Sequence, residues 1–99
     1  MPKLPKGIQF KKASPKSKKK YVAILPDGKR VLFGARDYQH YKDTVPKKLG
    51  GGKWSNKDHL DPKRRSNYRR RHGAIRTKDG RLAYTVKYTP AWFSYYFLW

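Results

Sequence analysis

The chain contains no cysteine and no glutamate. Its 6 acidic residues are all aspartates, set against 26 lysines and arginines, for a net charge of +20 over 99 residues. Without cysteine there are no disulfides and no thiolate metal sites, and nothing marks an oxidising compartment. With so little acid, the chain cannot readily gather several carboxylates at one point, as two-metal hydrolysis requires. No apolar run is long enough for a bilayer-spanning helix. Met1-Pro2-Lys3-Leu4-Pro5 lacks the apolar stretch of a signal peptide. These absences lead to an expectation of a protein made and assembled in the cytoplasm or nucleus.

What is present is positive charge with a location. Lys3, Lys6, Lys11, Lys12, Lys16, Lys18, Lys19 and Lys20 crowd the first twenty residues with no acid among them, and Lys63 to Arg71 is a second basic stretch without acid. Trp92 to Trp99 is the opposite, uncharged and dominated by aromatic rings. A free chain of this charge repels itself, so the sequence is written for a polyanion or an acidic protein surface.

Along the chain, residues 1–19 read as a Lys- and Pro-rich arm that does not pack, disordered or ordered only by a partner. Residues 20–99 read as a single small domain. Tyr21 to Leu25 and Arg30 to Gly34 are strand-like and flank Pro26-Asp27-Gly28, a hairpin signal. Ala35 to Tyr41 reads as a helical turn with Tyr38 and Tyr41 on one side, and residues 42–57 as a loop around Gly50-Gly51-Gly52. Asp61 as N-cap, Pro62 at the first position and Gly73 beyond the end mark a helix. In that helix Leu60, Arg64, Tyr68 and His72 fall at steps of four, Tyr68 facing the core and Arg65, Arg69 and Arg70 facing outward. Leu82, Tyr84, Val86 and Tyr88 alternate after Lys78-Asp79-Gly80 and predict a second hairpin. Thr89-Pro90 opens a short final helix over Ala91 to Trp99, aromatic on all sides and requiring burial on more than one. The pattern predicts an α+β fold of small antiparallel hairpins with two short helices.

Five constellations bear on function. The lysine arm can track phosphates, and the plainer alternative, a solubilising tail, needs far less charge of one sign. Arg64, Arg65, Arg69, Arg70 and Arg71 would present guanidinium forks suited to phosphate or carboxylate, where an ordinary solvated helix face mixes signs. Tyr21, Tyr38, Tyr41, Tyr84 and Tyr88 could stack on unpaired bases, but alternating aromatics in a small sheet are more simply core. Asp58-His59-Leu60-Asp61 invites a metal or nuclease reading that the shortage of carboxylates opposes; His59 and His72 are expected to bond backbone or aromatic neighbours. Trp92, Phe93, Tyr96 and Trp99 either seal the core or anchor in a partner's groove. Nothing calls for a catalytic residue, a cofactor, a metal or a small-molecule substrate.

Taken in order, Phe33-Gly34, Tyr38, Tyr41, His59-x-Asp61-Pro62 with Arg64 or Arg65, Tyr68, Arg71-His72, Ala91-Trp92-Phe93-Ser94 and Leu98-Trp99 resemble a family of small basic proteins. That family occurs in large nucleocytoplasmic DNA viruses of the mimivirus, iridovirus and chlorella-virus kind. The likeness spans roughly residues 20–41, 58–73 and 90–99. The Gly-rich loop and the Lys78-Asp79-Gly80 hairpin look like insertions. The resemblance implies a viral product packaged in the particle and carries over no catalytic residue.

Two functions follow. The leading expectation is a structural virion protein: a minor capsid component bridging larger shell proteins with acidic surfaces, its arm threading between them. The alternative is a sequence-nonspecific protein that binds or condenses DNA or RNA through the phosphate backbone, histone-like or ribosomal-protein-like in character. On either reading, removing residues 1–19 is expected to abolish polyanion affinity and spare the fold.

Overall fold

The computed structural model describes residues 4–99; Lys3, placed in the arm above, lies outside them. The elements run β1 (Gln9–Lys12), β2 (Lys19–Ile24), β3 (Arg30–Ala35), α1 (Pro62–His72) and α2 (Pro90–Phe97). Single 3-10 turns lie at Lys47–Leu49, Ser55–Lys57 and Ala83–Thr85. The strands form one antiparallel sheet in the order β1-β2-β3, so the α+β class holds.

The hairpin between β2 and β3 forms as its turn chemistry directs. Gly28 takes a φ of 90°, a conformation open to glycine, and its N–H donates to the Leu25 carbonyl at 2.8 Å. The Asp27 carboxylate accepts the Lys29 N–H at 2.9 Å. The register sets Tyr21 against Phe33 and Ala23 against Val31. Side chains alternate along a strand, so these four share a face with Phe10 of β1, which pairs with Ala23. α2 closes that face: Phe33 and Phe93 stack with ring centroids 5.0 Å apart, and Phe10 meets both edge-on at 6.1 and 5.9 Å. Trp92, Phe93, Phe97 and Leu98 are buried, while Tyr96 and Trp99 are half-buried.

The expectation of an arm that cannot pack is corrected. Ile8, Phe10 and Ala13 are buried, and residues 9–12 pair with β2 through a turn closed by Ser17 N–H on the Ser14 carbonyl at 2.8 Å. The lysines concealed a period of two: Ile8 and Phe10 point inward while Gln9 and Lys11 point out. The boundary drawn at residue 20 falls inside β2.

The second hairpin is corrected too. Its tip exists, with Thr77 N–H on the Arg81 carbonyl at 2.8 Å, but only a single bridge, Arg76 with Leu82, follows. Tyr84 sits in a 3-10 turn and stacks on Tyr95 of α2 at 4.2 Å, and Tyr88 takes a φ of 66°. Packing on α2 overrides the alternating pattern, because these rings gain more by covering a helix than by extending a two-stranded ribbon. Ala35 to Tyr41 is a turn ending at a bridge from His40 to Asp58, not a helix.

α1 starts as predicted: the Asp61 side chain accepts from the Lys63 and Arg64 N–H groups, with Pro62 in the first turn. Gly73 follows the helix in a right-handed conformation. A side chain there would stand 2.5 Å from the Arg69 carbonyl oxygen, so the glycine serves close approach. Leu60, expected in line with the inward stripe, is turned out and exposed at a φ of 56°.

Candidate functional site

Beneath the open end of the sheet lies a polar network. Lys20 and His40 are each 1% exposed. Lys20 Nζ donates to the Tyr38 carbonyl at 2.6 Å and meets His40 Nδ1 at 2.8 Å; His40 Nε2 meets Asp58 Oδ1 at 2.6 Å. A neutral imidazole satisfies both ends, accepting at Nδ1 from the ammonium and donating from Nε2 to the carboxylate. Burial lowers the Lys20 ammonium to about 8, helped by the charge of Lys57 and opposed by Asp43 and Asp58. Asp43 stands alongside: its carboxylate accepts the Tyr21 hydroxyl, the Trp54 N–H at 3.0 Å and the Val45 N–H at 3.1 Å. Trp54 Nε1 donates to the Lys20 carbonyl at 2.8 Å, tying loop 42–57 to β2.

This network ties β2 to the turn at Tyr38 and to the chain around Asp58, with Lys20 and His40 almost wholly enclosed. It corrects the assignment of Lys20 to a phosphate-tracking arm. Gly34, at a φ of 79°, is what lets Lys20 turn inward: a side chain there would stand 2.9 Å from Leu98 and 3.3 Å from Lys20 Cβ.

The histidines have a common direction. Burial lowers His40, with the Lys20 charge adding to it and the Asp58 hydrogen bond opposing it. Burial likewise lowers His59, assisted by Arg64, and His72, assisted by Arg71. All three prefer the neutral form when folded, so below the ordinary value of 6.5 the unfolded chain binds more protons. Stability is therefore fully present above 6.5 and falls as pH drops from there through the folded values. Urea unfolding between about pH 7.5 and pH 5.5 should show the midpoint falling with acid; a flat profile would refute the assignment.

Above the network opens a cleft of about 510 Å³ between the end of β3, α1 and α2. Its walls include Lys19, Arg64 and Arg71, with Tyr38, Tyr68, His72 and Trp99 as rings, and no acidic residue lines it. Tyr68 is covered on both faces, by His72 at 3.9 Å and by Trp99 at 4.1 Å. Burial raises its hydroxyl to about 12, so it stays a neutral phenol. Arg64 donates to Gln39 Oε1 at 2.9 Å, which fixes the guanidinium beside the turn that carries Tyr38.

The predicted basic residues divide. Lys19, Arg64 and Arg71 meet at the cleft, and Lys6, Lys11, Lys16 and Lys18 are exposed elsewhere. Lys12 lies over the Trp54 ring at 4.8 Å, and Arg70 donates to Asn67. Arg65 and Arg69, expected to face outward, both donate to the Trp99 main-chain oxygen, at 2.7 and 3.0 Å, and lie over Tyr41 and Tyr95. They fasten α1 to the end of α2, because guanidinium planes stack on rings and bond a carbonyl at once. Among the predicted anchors, Trp92 and Phe93 belong to the core, Tyr96 packs partly against it, and Trp99 lines the cleft. His59 accepts the Asp61 N–H at 3.0 Å and packs on Trp99, while Asp58 turns to His40, so the Asp58–Asp61 run serves two different elements.

A family of unknown function (DUF5754) matches residues 11–49, most of the sheet and the turns after it but neither helix. No curated protein and no solved structure matches the chain at a significant level.

Proposed function

We propose that this protein is a non-enzymatic binding protein for the phosphate backbone of nucleic acid, without preference for sequence. The observation that carries the reading is the disposition of the few acids. Among the described residues, one ion pair joins a lysine or arginine to an aspartate: Arg81 with Asp79, at 2.8 Å and largely exposed. Asp27 closes a turn, Asp43 and Asp58 hold the buried network, and Asp61 caps α1. Asp37 alone stands exposed with no such role, in the turn before Tyr38. Lys20, Arg65 and Arg69 are engaged by the fold, and most of the remaining cations face solvent without a carboxylate partner, over much of the surface and around a cleft that no acid lines. Phosphate is the anion that such a surface meets in a regular, dense array.

Titration of a labelled duplex at increasing salt tests this. The logarithm of affinity should fall linearly with the logarithm of salt, with a slope of about −0.9 for each phosphate neutralised, and scrambling the duplex should change nothing. Weak binding at low salt, or affinity indifferent to salt, would end the reading.

A second reading is the bridging capsid component. Arg70 and Arg71 are exposed, and their guanidinium forks suit the carboxylates of an acidic protein partner as well as they suit phosphates. Its two other supports are absorbed by the fold, since the arm supplies β1 and the aromatic segment supplies α2. Cross-links from Lys16, Lys47 or Lys48 to shell proteins, retained in genome-free particles, would favour it.

A further inference from the structure

The tyrosines were expected to be core, and all but one comply at least in part. Tyr21 is fully buried, and Tyr41, Tyr84 and Tyr88 are half-buried. Tyr38 is 72% exposed and lines the basic cleft. Its backbone is nonetheless held, the carbonyl by Lys20 Nζ at 2.6 Å and the N–H by the Ala35 carbonyl at 3.3 Å. A ring open to solvent, on a backbone held at both polar groups, thus stands beside Gln39, which accepts from Arg64 at 2.9 Å. Tyr68, by contrast, already has a ring on each face.

Resting on the phosphate-binding reading, we infer that the cleft takes one unpaired nucleotide of a single-stranded nucleic acid, its base stacked on Tyr38 and its phosphate on Arg64, Arg71 and Lys19. Three properties converge. The cleft has no carboxylate, so it favours an anion. Its volume of about 510 Å³ lies within the range of small-molecule sites, about 300–1,000 Å³, and is larger than a bare phosphate needs. The free ring supplies the one surface that every base can use, which keeps binding indifferent to sequence. In a duplex the base faces are already covered by their neighbours, so Tyr38 discriminates between the two forms while the cations do not.

The test uses the full chain and fluorescence anisotropy, comparing labelled oligo-dT of about 15 nucleotides with a duplex of equal length. Tyr38→Ala should weaken oligo-dT binding about 10-fold and leave duplex binding within about 2-fold, and Tyr38→Phe should restore it. An exposed ring can be removed without unfolding, which near-ultraviolet circular dichroism verifies. Equal losses on both forms, or no loss on oligo-dT, would overturn the inference while duplex binding keeps the phosphate reading alive. If the unaltered protein binds neither form, both fall together.

Discussion

Deleting residues 1–19 should unfold the protein. The deletion removes all of β1, and with it Ile8 and Phe10, each 2% exposed. Burial of two such side chains contributes about 1.5–3 kcal/mol apiece. Phe10 also lies 5.9–6.5 Å from Tyr21, Phe33, Phe93 and Phe97, so its loss opens the centre of the aromatic core to water. β2 would become an edge, its ladder to β1 gone, and Arg36 would lose the carbonyl oxygens of Ala13 and Ser14. Against an ordinary domain stability of about 5–15 kcal/mol, these losses are decisive. The near-ultraviolet signal of the rings should collapse and cooperative urea unfolding should disappear. The single change Phe10→Ala should cost about 3–5 kcal/mol in the same direction. A truncated chain that keeps its aromatic signal would mean that β1 contributes nothing to the core.

Asp43→Ala should be the most damaging single polar substitution. The carboxylate gathers the Tyr21 hydroxyl and two main-chain N–H groups, those of Trp54 and Val45. Removing it leaves three donors without their acceptor, one of them on a fully buried tyrosine. Each unsatisfied buried group costs about 1–3 kcal/mol, so a total of at least about 3 kcal/mol is expected. Asp43→Asn keeps one carbonyl oxygen and should lose less. In a double-mutant cycle with Tyr21→Phe, the second change should cost less once Asp43 is gone, because the two side chains share one bond, and what remains is the loss of the hydroxyl to which the Lys53 N–H donates at 2.8 Å. Additive losses in that cycle would show that Tyr21 and Asp43 act separately.

The parts of this fold legible in the sequence are those specified by neighbours along the chain. Pro26-Asp27-Gly28 writes a hairpin and Asp61-Pro62 writes a helix start, and both form. What was hidden depends on residues far apart. Lys20, His40 and Asp58 are separated by 20 and 18 positions, and no local pattern marks a lysine that will be buried. β1 was obscured because Lys11 and Lys12 border its inward residues and drew attention to charge instead of alternation. Arg65 and Arg69 lie on the helix face that composition marks as solvated, yet the Trp99 oxygen and the rings of Tyr41 and Tyr95 draw them in. Lys19, Arg64 and Arg71 were singled out by charge, whereas their meeting beside Tyr38 is a product of the tertiary fold.

The commitment of aspartates to turns, caps and the buried network has a consequence for how the molecule meets ions. Its extents are 34 × 30 × 28 Å. In dilute buffer the electrostatic reach is about 30 Å, the width of the whole molecule, so every cation feels every other. At physiological ionic strength that reach shrinks to about 8 Å, and only neighbours such as Arg70 and Arg71 still repel. Salt therefore acts in two opposed senses, loosening a bound polyanion while relieving the strain of like charges within the folded chain. A nucleic acid strand lying along this surface would take over the second task from the salt that it displaces, serving the fold as its counterion.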